Sequence, residues 1–171
     1  VNNNTIMQNR ISKDRVGIEF AGSGYDTYWF VPKNNLIKQN MIRDNGWVGL
    51  WLNGQNNLVI GNDISNNDYG IMKAFDCGSN LVHHNSFINN TGRHVERWVN
   101  DAKNTWDDGY PSGGNYWSDY IGIDDYRGPN QDIQGSDGIG DTSYIIDVYD
   151  VDSYPLMNPW TPTETSVRVQ G

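Results

Sequence analysis

The sequence predicts an all-β protein: a right-handed parallel β-helix of about four to five coils with an irregular, aromatic and Asp-rich C-terminal cap. Three observations carry this. A four-fold repeat of Asn and aliphatic residues recurs along the first half of the chain. Asn and Gly abound where good helix formers are few, and no stretch shows a helical stripe of apolar residues. After Asn90 the repeat gives way to segments dense in Tyr, Trp, Gly and Asp.

The repeat comprises Asn4-Thr-Ile-Met-Gln-Asn9-Arg-Ile11, Asn35-Leu-Ile-Lys-Gln-Asn40-Met-Ile42, Asn57-Leu-Val-Ile-Gly-Asn62-Asp-Ile64 and Asn80-Leu-Val-His-His-Asn85-Ser-Phe87. Three of these continue to a further Asn (Asn45, Asn67, Asn90), with Asp14 in that place in the first. A Gly-apolar pair follows at Gly17-Ile18, Gly49-Leu50 and Gly70-Ile71. The starts at 35, 57 and 80 lie 22 and 23 residues apart, which suits one solenoid turn. The first interval is 31, so roughly nine residues are inserted, within Ala21 to Lys33. Inward and outward side chains alternate along short strands, and parallel coils stack like on like at about 4.8 Å. Ile6, Ile37, Val59 and Val82 should therefore form one aliphatic column, and Ile11, Ile42, Ile64 and Phe87 a second. Asn tolerates left-handed backbone at corners, and its amide can bond from coil to coil. The two full Asn columns, Asn4/35/57/80 and Asn9/40/62/85, read as structural. The expected division is coils over 1–106, a cap over 107–160 and a tail over 161–171.

The remaining composition bounds function. The net charge is −9 with no cluster of Lys and Arg, which argues against nucleic acid and against an anionic membrane surface. No apolar run is long enough to span a bilayer. A single cysteine, Cys77, excludes an intrachain disulfide and reads as a buried thiol. The chain starts with Val1 and reads as a mature form or an excised piece.

The cap carries Gly114-Asn-Tyr-Trp-Ser-Asp-Tyr120, Asp137-Gly-Ile-Gly-Asp-Thr-Ser-Tyr144 and Tyr154-Pro-Leu-Met157. Together with the Asn-x-Ile-x-x-Asn-x-Ile coils, these segments resemble the NosD-like right-handed β-helix proteins over roughly residues 3–160. The resemblance implies a carbohydrate-binding or sugar-hydrolase type of repeat domain, found on archaeal and bacterial surfaces, and an association with copper handling. The sequence departs from the family's Asp-x-Asp-x-Asp-Gly run, since Ile133 and Gly135 stand where further acids would be.

Candidate chemistry is weighed against plain structure. Trp51 lies between Leu50 and Leu52 and should face outward, with Glu19 and Met72 beside it on neighbouring coils. With Trp47, and with Tyr25, Tyr28 and Trp29 of the insertion, it forms a candidate carbohydrate site: indole stacking on a sugar ring, with hydrogen bonds to its hydroxyls. The competing expectation is that the insertion folds over Trp51 and buries it. Asp132, Asp137 and Asp141 are candidate ligands of a structural Ca²⁺, against solvated Asp-Gly turns. His83 and His84 are adjacent on a strand, should point to opposite faces, and with Cys77 and His94 suggest copper or zinc only weakly. Polysaccharide lyases and epimerases use this fold; Lys38, Arg43, Lys73, His83 and Asp63 are available, as are Asp44, Asp63 and Asp68 for hydrolysis, but no compact constellation emerges and no catalytic residue is assigned.

The leading expectation is a noncatalytic extracellular or cell-surface module that binds a polysaccharide or glycan, or builds surface structure, without an organic cofactor. A polysaccharide lyase, epimerase or hydrolase and a periplasmic metal-handling accessory protein are the alternatives. The repeat is in register from Asn4 onward, so self-association through the N-terminal coil, head-to-head, is also expected.

Overall fold

The computed structural model describes residues 2–20, 31–74, 77–98 and 103–160. All regular structure among them is β. Each coil contributes three short strands. Coil 1 holds β1 (Thr5–Met7), β2 (Arg10–Ser12) and β3 (Val16–Glu19). Coil 2 holds β4 (Leu36–Lys38), β5 (Met41–Arg43) and β6 (Val48–Leu52), and coil 3 holds β7 (Leu58–Ile60), β8 (Asp63–Ser65) and β9 (Tyr69–Lys73). Coil 4 holds β10 (Leu81–His83), β11 (Ser86–Ile88) and β12 (Arg93–Arg97). Like strands pair in parallel into three sheets, ordered β1-β4-β7-β10, β2-β5-β8-β11 and β3-β6-β9-β12. This is a parallel β-helix.

The register matches the repeat residue for residue. Ile6, Ile37, Val59 and Val82 stack in one column, and Ile11, Ile42, Ile64 and Phe87 in a second. A third column runs through Ile18, Leu50, Ile71 and Val95. Coils 2 to 4 bury these side chains almost completely.

Between the columns run ladders of asparagine. Asn35 Nδ2 and backbone N–H both donate to Asn57 Oδ1, at 2.8 and 2.9 Å; Asn57 does the same to Asn80, and Asn62 to Asn85. The amide also reaches back to a carbonyl of the preceding coil, as Asn62 Nδ2 does to Ile37 O. Sequence reasoning places left-handed backbone on these asparagines, but it falls one residue earlier. Gln8, Gln39, Gly61 and His84 precede the second ladder with φ of 57°, 55°, 68° and 54°. Gln rarely adopts that region, so the three or four bonds donated by each following Asn must hold the corner.

The Gly-apolar pair has a steric cause. A Cβ on Gly49 would lie 2.8 Å from both Gly70 O and Asn67 Nδ2, because the next coil is that close. Coil 4 breaks the rule: His94 stands in line with Gly70, and among the described residues no further strand of that sheet follows.

The solenoid is closed by residues that imitate a fifth coil on two of its three sides. Thr105 bridges to Leu81, which brings Trp106 to the end of the first column. β13 (Tyr116–Trp117) adds to β11, with Trp117 in register with Phe87 and stacked on it at 4.4 Å. Asn104 and Asn115 extend the first two ladders. Two carboxylates then end them: Asp150 Oδ1 accepts from Asn104 N–H, and Asp152 Oδ2 from Asn115 N–H and Trp117 Nε1. An Asp offers the oxygen that the next Asn would supply and demands no further partner for an amide. Both come from the cap, which also carries the two-stranded pairs β14 (Tyr126–Arg127) with β15 (Ile133–Gln134) and β16 (Tyr144–Ile145) with β17 (Val151–Asp152). Asp150 and Asp147 also clamp the buried Lys73 Nζ, at 2.5 and 2.7 Å.

Candidate functional site

The outer face of the third sheet collects tryptophans. Trp51 on β6 lies in register between Glu19 and Met72, as its alternation with the buried Leu50 and Leu52 predicts. Its ring centroid is 5.0 Å from Trp47 and 6.0 Å from Trp98, and Trp47 and Trp98 are 6.2 Å apart. The Arg15 guanidinium sits over Trp47 at 4.8 Å, and Glu96 continues the outward column beyond Met72. Trp98 is 54% exposed, while Trp47 and Trp51 are half-buried against one another. The structure thus brings Trp47 and Trp51 together and adds Trp98 and Arg15, which sequence reasoning missed. Trp98 follows the last strand of coil 4, in line with Ala74 and Asn53, where the earlier coils place no aromatic residue, so the repeat gave no sign of it. Tyr25, Tyr28 and Trp29 lie outside the described residues.

The acidic cap loops turn their carboxylates onto their own backbone. Asp124 accepts from the N–H groups of Asp137 and Gly138, and Asp141 from those of Asp125 and Tyr126. Asp137 accepts from Gly128 and Ile139, and Asp132 is exposed on the same loop. These are the turn-capping roles that Asp-Gly sequences favour. Among the described residues no three His, Cys, Asp or Glu side chains are grouped to share a metal ion.

The histidine pair differs from expectation. Because His84 has φ 54°, strand alternation fails there, and His83 and His84 bring their Nδ1 atoms to 2.7 Å instead of pointing to opposite faces. His84 Nε2 lies 2.8 Å from Ser112 O. A carbonyl only accepts, so His84 Nε2 carries the proton and Nδ1 of the neutral ring accepts from His83 Nδ1–H. Burial, then the neighbouring His84, pushes the His83 pKa down and keeps that ring neutral. Cys77 is no ready thiolate: burial pushes it up to about 12.

Other polar candidates have structural duties. Lys73 is buried in its two carboxylate contacts, Arg43 pairs with Asp63 at 2.6 Å, and Asp44 accepts from Asn66.

The fold and this outer face define the chain as a parallel β-helix repeat module with an aromatic surface. Residues 1–122 match the NosD family, described as periplasmic copper-binding protein, and the chain belongs to that family. No curated protein and no solved structure matches it.

Proposed function

We propose that this chain is a noncatalytic β-helix module that binds carbohydrate outside the cytoplasm, with Trp47, Trp51 and Trp98 as its contact surface. The observation that carries this reading is the cluster of three indoles, one mostly exposed, on the outward face of a rigid sheet. Rigid aromatic rings bind with little loss of conformational freedom and offer apolar faces to the C–H faces of sugars. Arg15 and Glu96 flank the rings and can bond hydroxyls. A glycan array with wild type, Trp51→Ala and Trp98→Ala tests it. Binding that both variants lose supports the assignment. Equal signals from all three proteins would overturn it.

Copper handling in the periplasm is the second reading, favoured by the family's description. The described residues do not fit a closed copper site. Each His of the adjacent pair spends Nδ1 on the other, His84 Nε2 is committed to Ser112, and only His83 Nε2 keeps a lone pair. A copper ion would need ligands beyond these. Titration of copper against a chromophoric chelator, with wild type and His83→Ala, separates the readings. Stoichiometric uptake lost in the variant favours copper.

A further inference from the structure

The three sides of the solenoid do not end alike. The first and second ladders terminate on Asp150 and Asp152, and the first and second columns on Trp106 and Trp117. The third ladder runs from Asp14 through Asn45 and Asn67 to Asn90 and stops. Each earlier member donates its backbone N–H to the oxygen of the next coil. Asn90 has no next coil, and its backbone N–H has no partner among the described residues. Only its side chain is provided for: His94, standing where other coils need glycine, takes the Asn90 Nδ2 bond at Nδ1, 3.0 Å away.

A cavity of about 400 Å³ opens at this place, lined by Asn90, Arg93, His94, Asp119 and Tyr144 among others. The Asn90 Nδ2 bond makes His94 Nδ1 the acceptor, so His94 Nε2 bears the proton, and it lies 3.3 Å from both Ser118 Oγ and Asp119 Oδ1. Tyr144 Oη donates to Asp119 Oδ2 at 3.2 Å, and the Tyr144 ring is fixed by stacking on Trp117 at 4.3 Å. Asp119 thus accepts from Tyr144 and lies beside the His94 N–H, while most of it stays open to solvent, with lone pairs to spare.

We propose that this cavity is a binding site for a neutral polyhydroxyl ligand, a saccharide residue, whose oxygen completes the third ladder at Asn90. The chemistry selects the class. Asn90 and Asp119 line one cavity, and offer it a backbone donor and a carboxylate acceptor, with Arg93 also on its wall. A hydroxyl both accepts and donates, so adjacent hydroxyls satisfy both groups. A carboxylate ligand would meet Asp119 as a like charge, and a cation would leave the Asn90 N–H unanswered. The site is separate from the tryptophan face, and neither assignment depends on the other.

The test is amide-resolved NMR of the whole chain, titrated with glucose, galactose, mannose and, as the charged control, glucuronate. At least one neutral sugar should shift the Asn90 and His94 amides saturably and more strongly than glucuronate does. Asp119→Ala, at an exposed position, should weaken that binding by at least about tenfold, since a bond to a charged group is lost. Trp51→Ala should leave it unchanged, which distinguishes this site from the proposed glycan face. No shift at Asn90 with any neutral sugar at 100 mM would overturn the proposal. So would equal binding by Asp119→Ala, or tighter binding of glucuronate than of every neutral sugar.

Discussion

Asp152 should make the protein more stable as the medium becomes mildly acidic, and Asn in its place should remove that dependence. The carboxylate is buried at the end of the second ladder, and burial raises its pKa from 3.8 to about 7, although Asn115, Trp117 and Tyr154 donate to it. In the unfolded chain the group ionises near 3.8, so folding at neutral pH must either hold a buried charge or take up a proton. The folded state binds the proton more tightly, and stability therefore rises as pH falls from about 8 towards 4. At about 1.4 kcal/mol per pH unit, the charged form costs about 4 kcal/mol at pH 8 and under 2 kcal/mol at pH 5. Asp152→Asn keeps an oxygen for Asn115 and Trp117 and loses the bond from Tyr154 N–H, at about 1 kcal/mol. The variant should exceed wild type by roughly 3 kcal/mol at pH 8 and by under about 1 kcal/mol at pH 5. Urea unfolding at half-unit steps from pH 5 to 8 measures both. His83 and His94, whose pKa values burial lowers, oppose the trend below about pH 6.5, but equally in both proteins. Stabilities of the two proteins that run parallel across this range would refute the reasoning.

Three further outcomes follow from the same contacts. Trp106→Phe should cost less than Trp117→Phe in urea unfolding, by about 1–3 kcal/mol, because the Trp106 indole N–H has no partner among the described residues while that of Trp117 bonds Asp152. Lys73→Met should lower stability by about 3–5 kcal/mol, since it leaves Asp147 and Asp150 facing one another without their cation, and thermal unfolding by circular dichroism will show it. Truncation after residue 106 removes Trp117 and both ladder-ending carboxylates; size-exclusion chromatography should find the fragment aggregated, and a cooperatively melting monomer would count against the terminating role of Asp150 and Asp152.

The coils were legible because stacking converts a spacing into a contact: two Asn and two apolar residues per turn suffice to set the register of Ile37 on Val59 and Asn40 on Asn62. Asp150 and Asp152 were not, because they join their ladders from 46 and 37 residues beyond Asn104 and Asn115, at no repeat interval. The histidine pair was misplaced because strand alternation was carried one residue too far, through a corner where His84 adopts positive φ. Trp51 was placed correctly by alternation alone, whereas Trp98 joins it from a stretch of coil 4 where the Asn-aliphatic repeat is no longer visible in the sequence. The open corner did leave one trace, His94 in the glycine position, whose meaning depends on knowing that glycine there makes room for a following coil.

The ladders also have a direction. From Asn4 to Asn104 and from Asn9 to Asn115, the ladder N–H groups donate toward the C-terminal end, and the side-chain oxygens receive from the N-terminal side. At coil 1 the Oδ1 atoms of Asn4 and Asn9 accept nothing among the described residues, so that rim presents a row of acceptors. A neighbour that extends the stack there must arrive with donors foremost.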